Sequence, residues 1–335
     1  MNMILQGTNN LEVKSINKKR IIGLLYQQKE MTKQDLARSL GLSIPTVSQI
    51  LKELTERGLV KEAGMLESTG GRKPTLNALV YDAKFAVGIE ITLNHIRFVL
   101  IDLYGNISAH KYIRICFQNT QTYTDSLNSL TEQFIADNCT DRGKILGIGI
   151  AIPGIVQKNK EMIEYVPTLR VKNYPLSEIT KNFRYKVKVD NEANLAGFAE
   201  IWCRQHISDA VFLSINKGVG GAVIINDKVY YGSNYRAGEF GHMTIVKDGK
   251  KCACGKKGCF EAYCSTMVLS DNNGDEITDF FKKLEKGNKD CMAIWDEYLD
   301  HLAAGINNIR MVFDSEIIIG GDIHRYIKKY INQLN

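Results

Sequence analysis

The chain has 335 residues, 44% of them hydrophobic and 24% charged, a balance that excludes a disordered or fibrous protein and accommodates two or three domains. No stretch approaches the ~18–20 continuous apolar residues of a membrane helix, and the opening MNMILQGTNNLEVK lacks the basic-then-apolar pattern of a secretory signal, so a cytoplasmic protein without membrane contact is expected. The net charge of +6 is uneven: residues 1–80 carry 12 Lys/Arg against 7 Asp/Glu and residues 81–335 carry 31 against 30, which points to a polyanionic partner at one end only.

The N-terminal segment predicts three helices. In SINKKRIIGLLYQQKE, Ile16, Ile21, Leu24 and Leu25 share a face, with Lys18, Lys19 and Arg20 beside it. In MTKQDLARSL, Thr32 and Asp35 form a capping-box arrangement, and Gly41 supplies the turn that follows. In SIPTVSQILKELTERGLV, Ser43 is the N-cap and Pro45 is tolerated in the first turn. Val47, Ile50, Leu51 and Leu54 make the buried stripe of this third helix; Pro45, Ser48, Gln49 and Lys52 face away from it, with Thr46 to one side. Short polar side chains at a helix N-terminus suit base edges in a major groove, and Lys52 suits a phosphate. With LVKEAG as a wing strand, residues 1–67 read as a winged helix-turn-helix that binds DNA through Ser43, Pro45, Thr46, Ser48, Gln49 and Lys52.

Residues 68–80 read as a Gly/Arg linker. Gly70 and Gly71 free the backbone and Pro74 stiffens the exit, with Arg72 and Lys73 between them. An Arg on such a thin segment suits a narrow A·T-rich minor groove, a plain linker being the alternative. From Tyr81 to residue 335 strands and helices alternate. FAVGIEIT and HIRFVLIDLYGNI read as a hairpin. ILGIGIAIPGIV, YKVKVDNEAN, DAVFLSINKGVGGAVII and SEIIIGGDI read as buried strands, and TYTDSLNSLTEQFIADN, EANLAGFAEIWC and DEYLDHLAAGINNIRMVF as helices. The body is therefore α/β, with ligands expected at the C-terminal strand ends.

His242, Cys252, Cys254 and Cys259 follow the spacing His-x9-Cys-x-Cys-x4-Cys on a Lys- and Gly-rich loop. One imidazole and three thiolates suit tetrahedral zinc with no open position, hence a structural ion, and a reducing compartment disfavours disulfides. Buried thiols or a redox switch are the alternatives. Cys116, Cys139, Cys203, Cys264 and Cys291 lack such company and read as core or bystander thiols.

The motifs AIPGIV (151–156), DNEAN (190–194), GEFGHMTI (238–245) and CACGKKGCFE (252–261) resemble those of the ROK family of repressors, open reading frames and kinases, and the helix-turn-helix in front resembles its repressor branch, the xylose-operon repressors in particular. The resemblance implies a two-lobed, actin-like ATPase fold over 81–335 with the zinc motif at 242–259. Family repressors continue well past the point that matches Gly320–Ile323, whereas this sequence ends at Asn335. Family kinases carry an Asp-x-Gly-Gly-Thr turn at the ATP phosphates; here Glu90 replaces the Asp and Thr92-Leu93-Asn94 replaces Gly-Gly-Thr. Asn216-Lys217 stands where the kinases have Gly-Thr, and Glu192 where they have the catalytic Asp of Asn-Asp-x-Asn. A catalytic carboxylate displaced by an extra methylene can cost ~10²-fold in rate, and phosphoryl transfer depends on positioning, so no enzymatic activity is expected.

The sugar side of the resemblance survives better. It implies contacts from Asn191 and Glu192 on one side and from Glu239, His242 and Glu261 on the other, with Gly154 leaving room for the ring. One nitrogen of His242 would hold zinc while the other faces the sugar. The expected function is a sugar-responsive repressor that binds a palindromic operator as a homodimer, with xylose first and glucose second as effector by resemblance. A phosphorylated effector stays open because Lys217 lies near the old phosphate loop. A sugar kinase with an accessory DNA-binding domain and a zinc-stabilised DNA-binding scaffold without a small ligand are the alternatives.

Overall fold

The structure, a computed structural model, describes residues 10–65, 74–166, 168–204, 207–270 and 277–334. Contacts divide the chain into two compact units, residues 1–150 with 180–188 and residues 151–179 with 189–335.

The first unit begins with α1 (Asn10–Gln28), β1 (Glu30–Thr32), α2 (Lys33–Leu40), α3 (Ile44–Glu56), β2 (Val60–Met65) and β3 (Thr75–Leu79). Local chemistry sets these boundaries. The Thr32 hydroxyl accepts the Asp35 N–H at 3.1 Å and donates to the Asp35 carboxylate at 2.7 Å. Gly41 ends α2 in the left-handed conformation, φ +64°, which a glycine adopts without steric cost. Ser43 caps α3 by accepting the Thr46 N–H. The expected stripe of Val47, Ile50, Leu51 and Leu54 is buried against Ile21, Leu25, Leu36 and Ala37. Ile16, expected on the buried face of the first helix, is 50% exposed; Ile21 and Leu25, one turn apart, carry that burial instead.

The sheet order β1–β3–β2 differs from the expected layout. Residues 75–79, read as linker, form β3, the central strand, which pairs antiparallel with both β1 and β2. A run of only five residues gives a weak sequence signal, and two strand partners supply what its local propensity does not. Tyr26 donates a hydrogen bond to the Tyr104 carbonyl, and the Lys29 ammonium lies 3.9 Å above the Tyr104 ring.

The body strands that follow are β4 (Phe85–Ile91), β5 (His95–Ile101), β6 (Ile107–Arg114) and, after α4 (Gln121–Asn138), β7 (Ile145–Ile152). With β11 (Val187–Asn191) they form a sheet in the order β11–β7–β4–β5–β6. The expected hairpin is β4–β5, with Glu90 opposite Arg97. Phe98 of β5 and Phe134 of α4 pack with centroids 5.4 Å apart, both fully buried.

The second unit holds the small sheet of β8 (Ile155–Gln157), β9 (Met162–Val166) and β10 (Val171–Pro175), followed by α5 (Leu176–Thr180), and the helix α6 (Glu192–Cys203). Its main sheet, in the order β14–β13–β12–β15, comprises β12 (Ala210–Ile215), β13 (Val219–Ile225), β14 (Lys228–Tyr230) and β15 (Glu316–Gly320), the last parallel to β12. Helices α7 (Glu261–Cys264), α8 (Ile277–Glu285), α9 (Lys289–Phe313) and α10 (His324–Ile327) complete it. Trp295, Tyr298 and Leu302 of α9 share one core with Val211, Leu213, Phe260 and Phe281. Among the described residues no helix is long and apolar enough to cross a membrane. Leu54 is fully buried in the winged helix, so Leu54→Ala is expected to cost about 2–5 kcal/mol there, read as lost amide-exchange protection in α2 and α3.

Candidate functional sites: a reading helix, a polar crevice and a cysteine–histidine cluster

The outer face of α3 is polar and open. Ser43, Pro45, Gln49 and Lys52 are exposed, and Thr46 and Ser48 are half-buried. The Thr46 hydroxyl shares a hydrogen bond with Ser43 at 2.8 Å, so these two side chains are ordered by the same cap that starts the helix. Lys52 is exposed and pairs with Glu56 at 3.9 Å, a contact worth little at a surface. Lys14 and Lys18 both pair with Glu53, and their hydrogen bonds hold the Glu53 carboxyl below its ordinary pKa. Arg72 and Lys73 lie outside the described residues.

In the second unit Gly154, Asn191 and Glu239 come together in one crevice with Ile155, Asn194, Gly220, Gly221, Tyr235 and Ala237. Asn191 sits where β11 passes into α6 and is the N-cap: its Oδ1 accepts the N–H groups of Ala193 and Asn194, and its Nδ2 donates to the Gly154 carbonyl at 2.8 Å. Gly154 has φ +91°, and a Cβ there would meet the Tyr165 carbonyl oxygen of β9. The backbone of its own hairpin therefore requires glycine at this position, which also lines the crevice. The crevice encloses about 20 Å³, space for about one water.

The wall carrying Tyr235 and Glu239 is tied to the β8–β9 hairpin by the Arg236–Glu164 ion pair. It is tied also by Tyr231, which takes a hydrogen bond from Lys158 and gives one to Asp190 at 2.8 Å. Asp190 is buried and accepts the Asn191 N–H. Although burial works against its charge, Lys158 is held above its ordinary pKa by Asp190 and Tyr231.

Glu239 opens the 240–242 turn. Burial raises its carboxyl above the usual carboxylate range, against the pull of His242 and Arg236 and with a further upward push from Glu261. Two glycines fix this turn. At Gly238 and Gly241 any Cβ would run into the backbone carbonyl oxygens of Gly221 and Val219, so the turn lies directly on β13.

His242, Cys252, Cys254 and Cys259 present ligand atoms that all lie within 4.8 Å of one another. The His242 Nδ1 is 3.8 Å from the Cys252 sulfur, and the sulfurs of Cys254 and Cys259 are 3.7 Å apart. These four side chains could hold a metal ion, and such edges match a tetrahedron with metal–sulfur bonds of about 2.3 Å. Burial pushes the Cys252 thiol up to about 12. Against its own burial, the Lys256 backbone N–H and the neighbouring cysteines hold Cys254 low. The other ring nitrogen of His242 faces Glu239 at 3.9 Å. Glu261 lies outside the crevice lining: one oxygen accepts the Val219 N–H at 3.0 Å and the other is 3.7 Å from the Cys252 sulfur. Glu192, the first residue of α6, is not among the lining residues either. Of the remaining cysteines, Cys139, Cys264 and Cys291 are buried and Cys116 and Cys203 are exposed.

The 92–95 and 216–218 turns, which the resemblance aligns with the kinases' phosphate loops, are closed by local bonds. The Thr92 N–H donates to the His95 carbonyl, the Thr92 hydroxyl accepts the His95 N–H, and Leu93 is 44% exposed. Glu90 pairs with Arg97 at 3.2 Å. In the second turn the Asn216 Oδ1 accepts the Asp322 N–H at 2.7 Å, and Lys217 is exposed.

Fold and sites together define a winged-helix DNA-binding module on an α/β body of the sugar-kinase type. Residues 14–61 match the winged helix-turn-helix DNA-binding family and residues 86–335 the ROK family. The chain belongs to the ROK family. It is 29% identical over 337 residues to the xylose repressor of Caldicellulosiruptor bescii, covering 94% of this chain and 84% of that protein. Among solved structures it is similar to a ROK family transcriptional regulator described as a homologue of the E. coli MLC protein, with a TM-score of 0.80 and 23% identity over 96% of this chain and 87% of that one. A ROK glucokinase from Streptomyces griseus, solved with glucose and AMPPNP, has the same body fold with a TM-score of 0.61 and 22% identity over 71% of this chain and 83% of that one.

Asp190, Lys158, Tyr231, Arg236 and Asn194 were not singled out by the sequence reading. Only Asp190 and Asn194 carried a signal, since they flank Asn191-Glu192-Ala193 in the quoted motif; the others reach the site from distant turns. Gly241→Ala is expected to lower stability by about 1–3 kcal/mol or more and to reduce bound metal, checked by thermal melts and metal content per chain.

Proposed function

We propose that the chain is a sugar-responsive transcriptional repressor whose winged helix binds operator DNA and whose second unit binds a free sugar, xylose being the first choice. One observation carries the reading: a single chain joins an open polar face on a capped recognition helix to a buried crevice lined by Asn191, Asn194 and Glu239. The likeness to a protein named as a xylose repressor supports both the repressor role and the sugar. In this reading two copies form a homodimer, place α3 in successive major grooves of a palindromic operator, and respond when the sugar favours one arrangement over the other. Ser43, Thr46, Ser48 and Gln49 meet base edges, and Lys52 meets the backbone. Arg72 and Lys73 reach a flanking minor groove.

The same reading takes the body as non-catalytic. Its support is the Glu90–Arg97 pairing and the closed Thr92–His95 turn, which occupy the place where family kinases keep glycines. ROK kinases share this fold, so the sugar-kinase alternative is tested directly: the chain with ATP, magnesium and a panel of sugars is expected to release no sugar-dependent ADP. A thermal-shift screen is expected to raise the melting midpoint with xylose. Sugar-dependent ADP release, or no shift with any sugar, overturns the reading.

Zinc is the ion this donor set suits. Bound there, it would fix the His242 ring through Nδ1, and His242 would present Nε2 beside Glu239 to the sugar. In this reading Gly154 shapes the hairpin beside the ring, Asn191 and Glu192 contact it from one side, and Glu239 and Glu261 close the other. One zinc per chain is expected by mass spectrometry. Cys259→Ser is expected to lose it and to weaken the sugar-induced thermal shift while leaving operator affinity in the absence of sugar unchanged, because buried Cys259 and α3 belong to different compact units. On the DNA side, Gln49→Ala is expected to change sequence preference. Lys52→Ala is expected to weaken binding evenly across sequences and to reduce the salt slope by about one. Titrations of labelled operator at several salt concentrations distinguish the two.

A further inference from the structure

Asn194 is 8% exposed, stands in the first turn of α6 and lines the crevice. Its Oδ1 is buried and has no hydrogen-bond partner. Buried polar atoms are nearly always satisfied, and an amide oxygen left without a donor costs stability. Asn191, three residues earlier, makes the contrast. Both acceptor positions of its Oδ1 are taken by the N–H groups of Ala193 and Asn194, and one Nδ2 hydrogen is taken by the Gly154 carbonyl. Asn191 thus has one N–H left to give and no acceptor, whereas Asn194 has an acceptor waiting for a donor. The crevice has room for about one water-sized group as it stands.

We infer that Asn194 is a specificity-determining residue of the crevice, its Oδ1 accepting a hydrogen bond from one hydroxyl of the bound sugar. This rests on the sugar reading proposed above and goes beyond it by naming the group that is read. A hydroxyl donates and accepts at once, so the same hydroxyl can satisfy Asn194 and take the remaining N–H of Asn191. An ionised phosphate only accepts. It would leave Asn194 unmet, and the described lining residues, which include Glu239, contain no Lys or Arg to balance its charge. The position therefore selects a free hydroxyl. Sites built around a polar partner reject analogues that lack it far more strongly than apolar pockets reject a change of size.

The test is calorimetric titration of the full chain with D-xylose and its monodeoxy analogues, in the wild type and in Asn194→Ala. In the wild type, one analogue is expected to bind about ten- to hundredfold more weakly than xylose, while the others lose less. Asn194→Ala is expected to bind xylose more weakly by a similar factor and to bind that one analogue as well as it binds xylose. Its melting midpoint without sugar is expected to hold or rise, because a buried unpaired acceptor has been removed. Unchanged xylose affinity in Asn194→Ala overturns the inference, as does an equal loss for xylose and every analogue, or a lowered midpoint without sugar. Should Asn194→Ala fail to fold, the wild-type series decides alone: equal losses for all the monodeoxy analogues overturn the inference. A wild-type chain that binds none of the sugars overturns the sugar reading itself and this inference with it.

Discussion

The direct contact of two backbones, Gly238 and Gly241 against the carbonyls of Gly221 and Val219, is the constraint on which the ligand end of the second unit depends. No side chain fits between the 238–242 turn and β13. Glu239 and His242 are consequently delivered to fixed places, Glu239 at the crevice and His242 at the cysteines. Phe240 between them is buried and packs edge-on against Phe313 of α9. The same strand receives Glu261, whose carboxylate accepts the Val219 N–H and touches Cys252. One stretch of backbone thus sets the carboxylate, the imidazole and the sulfur cluster relative to one another. This economy links the cysteine–histidine cluster to a crevice whose lining contains none of its residues: both hang from β13.

Satisfaction of polar groups separates the parts of the site that build it from those left to meet a ligand. Asn191, Asp190 and Glu261 are engaged with backbone donors and with one another's neighbours, so much of the polar character visible in the motifs is structural. The buried ionic cluster of Lys158, Tyr231 and Asp190 behaves similarly. A buried carboxylate persists only with such partners, and here the partners come from the turn after β8 and the segment after β14, which frame the crevice. Of the buried polar atoms without a partner among the described residues, the Asn194 oxygen is the one that lines the crevice.

At the other end of the chain, a cap and an apolar stripe suffice. Ser43 starts α3, Val47 to Leu54 bury one side of it, and the remaining face is polar because nothing in the unit covers it. The contacts of Tyr26 and Lys29 with Tyr104 join this winged helix to the loop after β5 within the same compact unit.

Helix caps, the buried stripe of α3, the β4–β5 hairpin and the cysteine–histidine set were legible in the sequence, because each is written in residues close together in the chain and governed by local period or spacing. The central wing strand β3 was not, because five residues adopt strand geometry there only through partners on both sides. Gly154 and Glu261 were legible as residues of interest, but the contacts that a carbonyl of β9 and an N–H of β13 give them were not. The sequence by itself determined which groups exist, how the helices begin and end, and that one histidine and three cysteines able to hold a metal ion lie close together in the chain. Only the tertiary structure decided which polar atoms are already bonded and which remain for a ligand, because hydrogen-bond partners in a packed interior come from distant segments that no local pattern records.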